Sequence, residues 1–235
     1  MDTTVGAAPF PATTAGFLEL LRAPGREGDL IDLLARRYWK SIYAYLRVAW
    51  AKSHDDAKDL TQAFLVYLLE EGVLASYARE RGVFRPFLKT LLRRFVGHEE
   101  TALRRLKRGG GRKILSLEGA APSLEEVLKD PAAAEPSAIF DRVWATELLS
   151  QALERVRARS EATAFAMYEA FDLATPALRP TYAELAARHG MDAKDVKRHL
   201  FRIREDVRRE VRAGLAALTP DARALDDEWH GLLRL

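Results

Sequence analysis

Apolar residues recur through this chain at three- and four-residue steps, and that spacing most restricts what it can fold into. Leu30, Leu34, Tyr38, Ile42, Tyr45 and Ala49 fall on one side of a 3.6-residue period, which predicts an amphipathic helix from about Asp29. Ser53 and Asp56 give an S-x-x-D start signal, and Leu60, Phe64 and Leu68 carry a second stripe to a stop at Gly72. After a break at Gly82 and Pro86, a third helix is expected over Arg85–His98, with Leu88, Leu91, Leu92 and Phe95 inward, and a fourth over Glu99–Arg108. Gly109, Gly110 and Gly111 close this block. A second helical block runs from near Ser137 to about Arg212, interrupted at Thr175, Pro176 and Pro180. No segment sustains the alternation of a strand, and Ile114–Leu117 is too short to carry a sheet. The expected fold is all-α: two small helical bundles joined by an acidic linker.

The divisions follow from composition. Residues 1–28 hold Gly6, Pro9, Pro11, Gly16, Pro24, Gly25 and Gly28 and read as a flexible arm. Residues 29–111 form the first bundle, and 112–137, with Pro122, Pro131, Pro136 and Ala132–Ala134, the linker. Residues 138–212 form the second bundle, and 213–235 an amphipathic extension. With 48% hydrophobic and 30% charged residues the chain can bury a core and stay in water, which excludes a wholly disordered or collagen-like polymer. It has no cysteine, so disulfide frameworks, thiolate zinc sites and cysteine nucleophiles are excluded. No apolar run approaches the ~18–20 residues of a membrane span. The start of the chain lacks the pattern of a secretory signal, so the expected location is the cytoplasm.

The overall charge of +3 conceals a strong pattern. Between Arg79 and Lys113 twelve basic residues face three acidic ones, a net of +9. Between Ser116 and Glu147 two basic residues face seven acidic ones, a net of −5. From Ala193 to Arg212 the count is eight against four, a net of +4. Two basic segments thus flank an acidic one, and a +9 block repels itself unless a polyanion meets it.

The best local signal is a helix-turn-helix over Thr181–Arg204. Thr181 and Glu184 form a T-x-x-E capping box, Ala186 leaves room for a close helix approach, Gly190 suits a left-handed turn, and Val196 is placed to pack the second helix on the first. That second helix carries Lys194, Lys197, Arg198, His199 and Arg202, whose cations would meet phosphates as its first turns enter a major groove. An ordinary helical hairpin with a solvated basic face is the competing reading.

In the first basic block the cations interleave with Tyr77, Phe84, Phe87 and Phe95. Aromatics there either stack on unpaired bases or belong to the core; for Phe87, Leu88 and Phe95 the core is favoured. Asp56 and Asp59 share a helix face, but acids in a first turn also offset the helix dipole, so no catalysis is read from them. Thr61 and Gln62 are expected on an exposed protein-binding face. The five histidines show no metal spacing, and Gly109–Gly111 lacks the phosphate-loop pattern, so neither a metal, a cofactor nor enzymatic activity is expected. Trp39, Trp50, Trp144 and Trp229 are expected to pack.

Five segments in order resemble one family. Asp56-Ala57-Lys58-Asp59-Leu60-Thr61-Gln62-Ala63-Phe64 resembles the D-A-E-D-L-T-Q-x-F stretch of extracytoplasmic-function (ECF) sigma factors of bacterial RNA polymerase. Arg37–Arg47 resembles their first helix, and Arg81-Gly82-Val83-Phe84-Arg85-Pro86-Phe87-Leu88 their promoter-melting segment. Lys107–Gly111 and Phe140–Ala145 resemble a subgroup abundant in planctomycetes and myxobacteria, and Tyr182–Leu200 matches the C-terminal helix-turn-helix. The resemblance covers about residues 29–212.

The resemblance implies a subunit that binds core polymerase, recognises −10 and −35 promoter elements and supports melting. The first bundle would be sigma region two and the second sigma region four. Asp56, Asp59, Leu60, Gln62 and Phe64 would form the polymerase-binding helix. Arg85, Lys89, Arg93, Arg94 and His98, with Arg104, Arg105, Lys107 and Arg108, would hold the −10 DNA as it becomes single-stranded. Lys194, Asp195, Lys197, Arg198, His199 and Arg202 would meet the −35 duplex. The acidic linker would thread through polymerase. An anti-sigma factor, a kinase acting on Thr61 or another hydroxyl, and expression control alone are each compatible as regulators, and no membrane is implied.

Three departures from the family pattern stand out. Lys58 replaces a usual glutamate. Asp195 sits early in the recognition helix, where it repels phosphate unless it accepts from a cytosine, pairs with Arg198 or caps the helix. The tail after Ala213 carries Leu215, Leu218, Leu225, Trp229, Leu232 and Leu233 with Asp226, Asp227 and Glu228. It is expected to pack on region four or dock on a partner; if in the free protein it masks the −35 helix, its deletion strengthens duplex binding. Two other functions remain open: a helix-turn-helix repressor or activator whose first bundle binds a ligand or dimerises, and a nucleic-acid-processing enzyme, for which no nucleophile, metal site or carboxylate cluster stands out.

Overall fold

The computed structural model describes residues 20, 25–70, 73–77, 83–106, 136–217, 219 and 222–234. Among them are eight α-helices and no strand: α1 (Glu27–Ala49), α2 (His54–Glu70), α3 (Phe84–Leu106), α4 (Pro136–Arg159), α5 (Ala162–Tyr168), α6 (Tyr182–His189), α7 (Ala193–Ala216) and α8 (Ala222–Leu232). The all-α expectation holds. Most of the 1–28 arm and the linker fall outside the described residues, although Leu20 is buried.

Helix α1 begins with Glu27 and Asp29 in its first turn, where acids favour the positive helix end. It buries Leu30, Leu34, Tyr38, Ile42 and Tyr45, the residues of the sequence stripe. The chain then turns at Ala51, whose φ of 44° is left-handed without the help of a glycine. Ser53 opens α2: its Oγ accepts from the Asp56 amide at 3.1 Å and donates to the Asp56 carboxylate at 2.7 Å. Helix α3 is a single helix where the sequence suggested two, because no breaker between His98 and Glu99 interrupts its backbone.

The halves of the chain share one continuous core. Helix α4 is the reason: it lies against α1 on one side and α7 on the other. Its Phe140 stacks on Tyr38 with ring centroids 6.2 Å apart, and Tyr38 in turn meets Phe84 of α3 at 5.8 Å. Burial pushes the Tyr38 hydroxyl well above the ordinary tyrosine range, with the Glu228 charge adding to it. Lys40 of α1 joins Glu147 of α4 at 2.6 Å. The closest seam is at Gly214 of α7, where an added Cβ would stand 2.6 Å from Leu148 Cδ1 and 3.2 Å from Arg37 Nη1. Burial at this seam lowers the Arg37 guanidinium to about 10. Helices α5, α6 and α8 also pack on α7, which is the hub of the second half.

Two sequence expectations fail here. Thr61 is fully buried, on the Ala57–Thr61–Phe64–Leu68 stripe, and its hydroxyl donates to the Ala57 carbonyl at 2.6 Å. It therefore offers nothing to an outside face, and a kinase cannot reach it in this fold. The tail helix α8 leaves the opening turns of α7 uncovered. It sits near Arg212, about 27 Å along the helix from Lys194.

Candidate nucleic-acid interface

The unit from α6 to α7 is built as its spacing requires. The Thr181 hydroxyl accepts from the Glu184 amide at 3.2 Å, and the Glu184 carboxylate accepts from the Thr181 amide at 2.7 Å. These backbone and side-chain hydrogen bonds from Thr181 hold the Glu184 carboxyl below its ordinary value. Leu185 and Ala186 face inward, and the chain reverses at Gly190 with φ 65° and ψ 34°. A side chain at that left-handed position is strained, which is what glycine avoids. Asp192 then caps α7 by accepting from the Asp195 amide at 2.7 Å. Val196 and Leu200 are wholly buried, each side chain contributing about 1.5–3 kcal/mol by leaving water.

That packing turns the other side of α7 outward. Lys194, Lys197, Arg198 and Arg202 are exposed, and His199 is half-buried. Phe201 stands among them 63% exposed. Asp195 does not cap the helix; it forms an ion pair with Arg198, which offsets its repulsion toward an anion. Lys197 Nζ lies 5.3 Å from the centre of the Tyr182 ring, which stacks on Phe171 at 4.8 Å. Arg204 binds Asp172 through both Nε, at 3.0 and 3.1 Å, and Nη2, at 2.9 Å, and these bonds raise its guanidinium above the ordinary value against the pull of burial. The opening turns of α7 are thus fixed from behind and open in front.

Helix α3 is arranged differently. Arg93, Arg94 and His98 are exposed, but Arg85 is buried and Lys89 half-buried. Arg85 Nε donates to both Glu228 oxygens, at 2.8 and 3.0 Å, and Nη2 also donates to that carboxylate. Its Nη1 donates to Asp141 at 2.9 Å, and its Cζ lies 3.9 Å from the Trp144 ring centre. Lys89 donates to Asp141 at 2.8 Å and to Ser137 at 3.0 Å. Burial depresses the Arg85 guanidinium, but the hydrogen bonds and charge of Glu228, then the charge of Asp141, more than reverse this and leave it above its ordinary value. Phe84, Phe95 and Tyr77 are core, and Phe87 packs against it. Arg104 and Arg105 lie in the last turns of α3, while Lys107 and Arg108 fall outside the described residues.

On α2, Asp56 is exposed and Asp59, Leu60 and Gln62 are half-buried. Phe64 is wholly buried against Tyr67 and Phe95, so it shapes this face from beneath and touches nothing outside the chain. The Gln62 Nε2 is buried and has no hydrogen-bond partner among the described residues. No helix among the described residues is long and apolar enough to cross a membrane.

Glu228 is the residue that sequence reasoning missed. It falls three residues after Leu225 and four before Leu232, on the inward stripe of α8, and a carboxylate on such a stripe calls for a buried cation. Comparison with protein-family models found no matching family, and comparisons with curated proteins and with solved structures found no match.

Proposed function

We propose that this chain is a sigma factor of the ECF type: a non-catalytic subunit that joins core RNA polymerase, recognises −10 and −35 promoter elements and supports promoter melting in the cytoplasm. The observation that carries the reading is the α6–turn–α7 unit. Its capping box, left-handed Gly190 and buried Val196 hold a helix whose opening turns present Lys194, Lys197, Arg198 and Arg202 to solvent. A helix so held fits a major groove, with the long cations on phosphates. In this reading α1–α3 act as region two and α4–α7 as region four. Asp56, Asp59, Leu60 and Gln62 meet polymerase, and Arg85, Lys89, Arg93, Arg94 and His98 meet the melting strand. With Thr61 buried, any controlling kinase acts on another hydroxyl.

Run-off transcription with bacterial core polymerase and a library of promoter fragments tests this. Promoter-specific transcripts absent from core alone are expected; no transcripts and no binding to core would refute it. A second reading, a helix-turn-helix repressor or activator, is favoured by one observation: α4 fastens the reading helix to the first three helices in a single core. A regulator of that kind binds palindromic duplex as a dimer and ignores polymerase.

A further inference from the structure

The carboxylates around Arg85 come from outside its own helix. Asp141 belongs to α4 and Glu228 to α8, the last helix described. Glu228 is 4% exposed and takes the guanidinium fork side-on through two nitrogens. The same planar fork fits a phosphate equally well. Trp144 backs the guanidinium, so the fork's direction is fixed whichever anion meets it.

Elsewhere α8 is held by Ala224, Leu225, Trp229 and Leu232 packing inward, and by one exposed polar contact. Arg212 pairs with Asp226 at 2.9 Å, with 47% and 57% of those side chains exposed, and lies over Trp229 at 5.4 Å. An ion pair so exposed contributes little. The buried pair itself is hard to open to nothing, because Arg85 would lose the carboxylate on two of its nitrogens and keep only Asp141. Exchange is different: an arriving phosphate keeps Arg85 paired throughout. The arrangement therefore resists spontaneous opening and yields to a competing anion.

We propose that α8 is a built-in plug on Arg85 of α3, with the Glu228 carboxylate standing where a nucleic-acid phosphate binds and being displaced by it. The proposal rests on the nucleic-acid reading of α3 and adds its regulation: the free chain denies a single strand the Arg85 fork, leaving it only the exposed Arg93, Arg94 and His98, while α7 stays open to duplex. A closed form that outnumbers the open one about tenfold weakens apparent single-strand affinity about tenfold.

The test measures binding of the full chain to a short labelled deoxyoligonucleotide of mixed sequence, single-stranded or duplex, by fluorescence anisotropy. Glu228→Gln removes the competing charge. Arg212→Ala with Asp226→Ala loosens α8 without touching Arg85, and decides the matter if Glu228→Gln does not fold. Asp227→Asn removes a like charge from an exposed neighbour and serves as the control. Single-strand binding about tenfold tighter in Glu228→Gln and about threefold tighter in the double variant, with Asp227→Asn and duplex binding unchanged, is the expected result. Wild-type single-strand affinity in folded variants, or an equal gain in Asp227→Asn, overturns the plug alone. A chain that binds neither probe in any variant overturns the nucleic-acid reading and the plug with it.

Discussion

Helix α7 holds Lys194, Lys197, Arg198 and Arg202 out to solvent, whereas α3 buries Arg85 and half-buries Lys89 among carboxylates of other helices. Both are amphipathic and strongly basic, so charge alone does not explain the contrast. The placement of acids does. Helix α7 carries its own: Asp195 pairs with Arg198, Glu205 with Arg208 and Asp206 with Arg209, each three residues apart on the exposed surface. From Phe84 to His98, α3 has no acidic residue, so cations drawn toward the interior must be answered from elsewhere. Asp141 of α4 and Glu228 of α8 supply the answer. Local pairing leaves the opening turns of α7 free to meet another molecule. Distant pairs, Arg204 with Asp172 and Glu210 with Arg155 and Arg159, tie its later turns into the fold as Asp141 and Glu228 tie Arg85.

The contrast can be broken most forcefully at Glu228. Glu228→Ala leaves Arg85 buried with half its partners gone and should cost about 3–5 kcal/mol in urea unfolding. Lys194→Ala, at an exposed position of α7, should change stability by no more than about 0.5 kcal/mol. Equal effects would erase the distinction between the two helices. Next comes the seam that makes them one body. Gly214→Ala drives a methyl into Leu148 and Arg37 and should cost about 1–3 kcal/mol, read as a lowered unfolding midpoint. A neutral result would mean that α7 and α4 separate easily.

Smaller effects sharpen the picture of α6. Thr181→Ala removes the cap and should cost about 1 kcal/mol. The Glu184 carboxyl is held below its unfolded value, so its contribution is present above the ordinary value of 4.5 and fades as pH falls through the lower folded one. Acid titration of Glu184→Gln should accordingly show a flatter loss of stability than the parent in that range. Ala51→Gly relieves a left-handed alanine and, after the freer unfolded glycine takes part of this back, should stabilise the chain by about 0.5–1 kcal/mol, read as a raised unfolding midpoint.

Much of this was legible beforehand where residues act on near neighbours. The Thr181–Glu184 box, the turn at Gly190 and the burial of Val196 all depend on contacts within a few residues. The all-helical class followed from periodicity for the same reason. The partition of the cations was not legible, because the spacing that places Arg85 on a basic face does not say which helix lies opposite. Thr61 shows the same limit in miniature: its hydroxyl suggested an outer face, but the stripe it shares with Ala57, Phe64 and Leu68 takes it inside, with the Ala57 carbonyl satisfying it. Arg37 was read only as part of a motif, yet its burial against the α7 seam depends on Gly214, far along the chain.

The claim at the centre is that the open face of α7 reads duplex DNA, and the salt dependence of duplex binding tests it most directly. The parent chain should bind a selected duplex with an affinity that falls steeply as salt rises. In Lys194→Ala, Lys197→Ala and Arg202→Ala combined, the slope of log affinity against log salt should shrink by about 2.7, at ~0.9 per lost phosphate contact. An unchanged slope, with the variant still folded, would contradict the account.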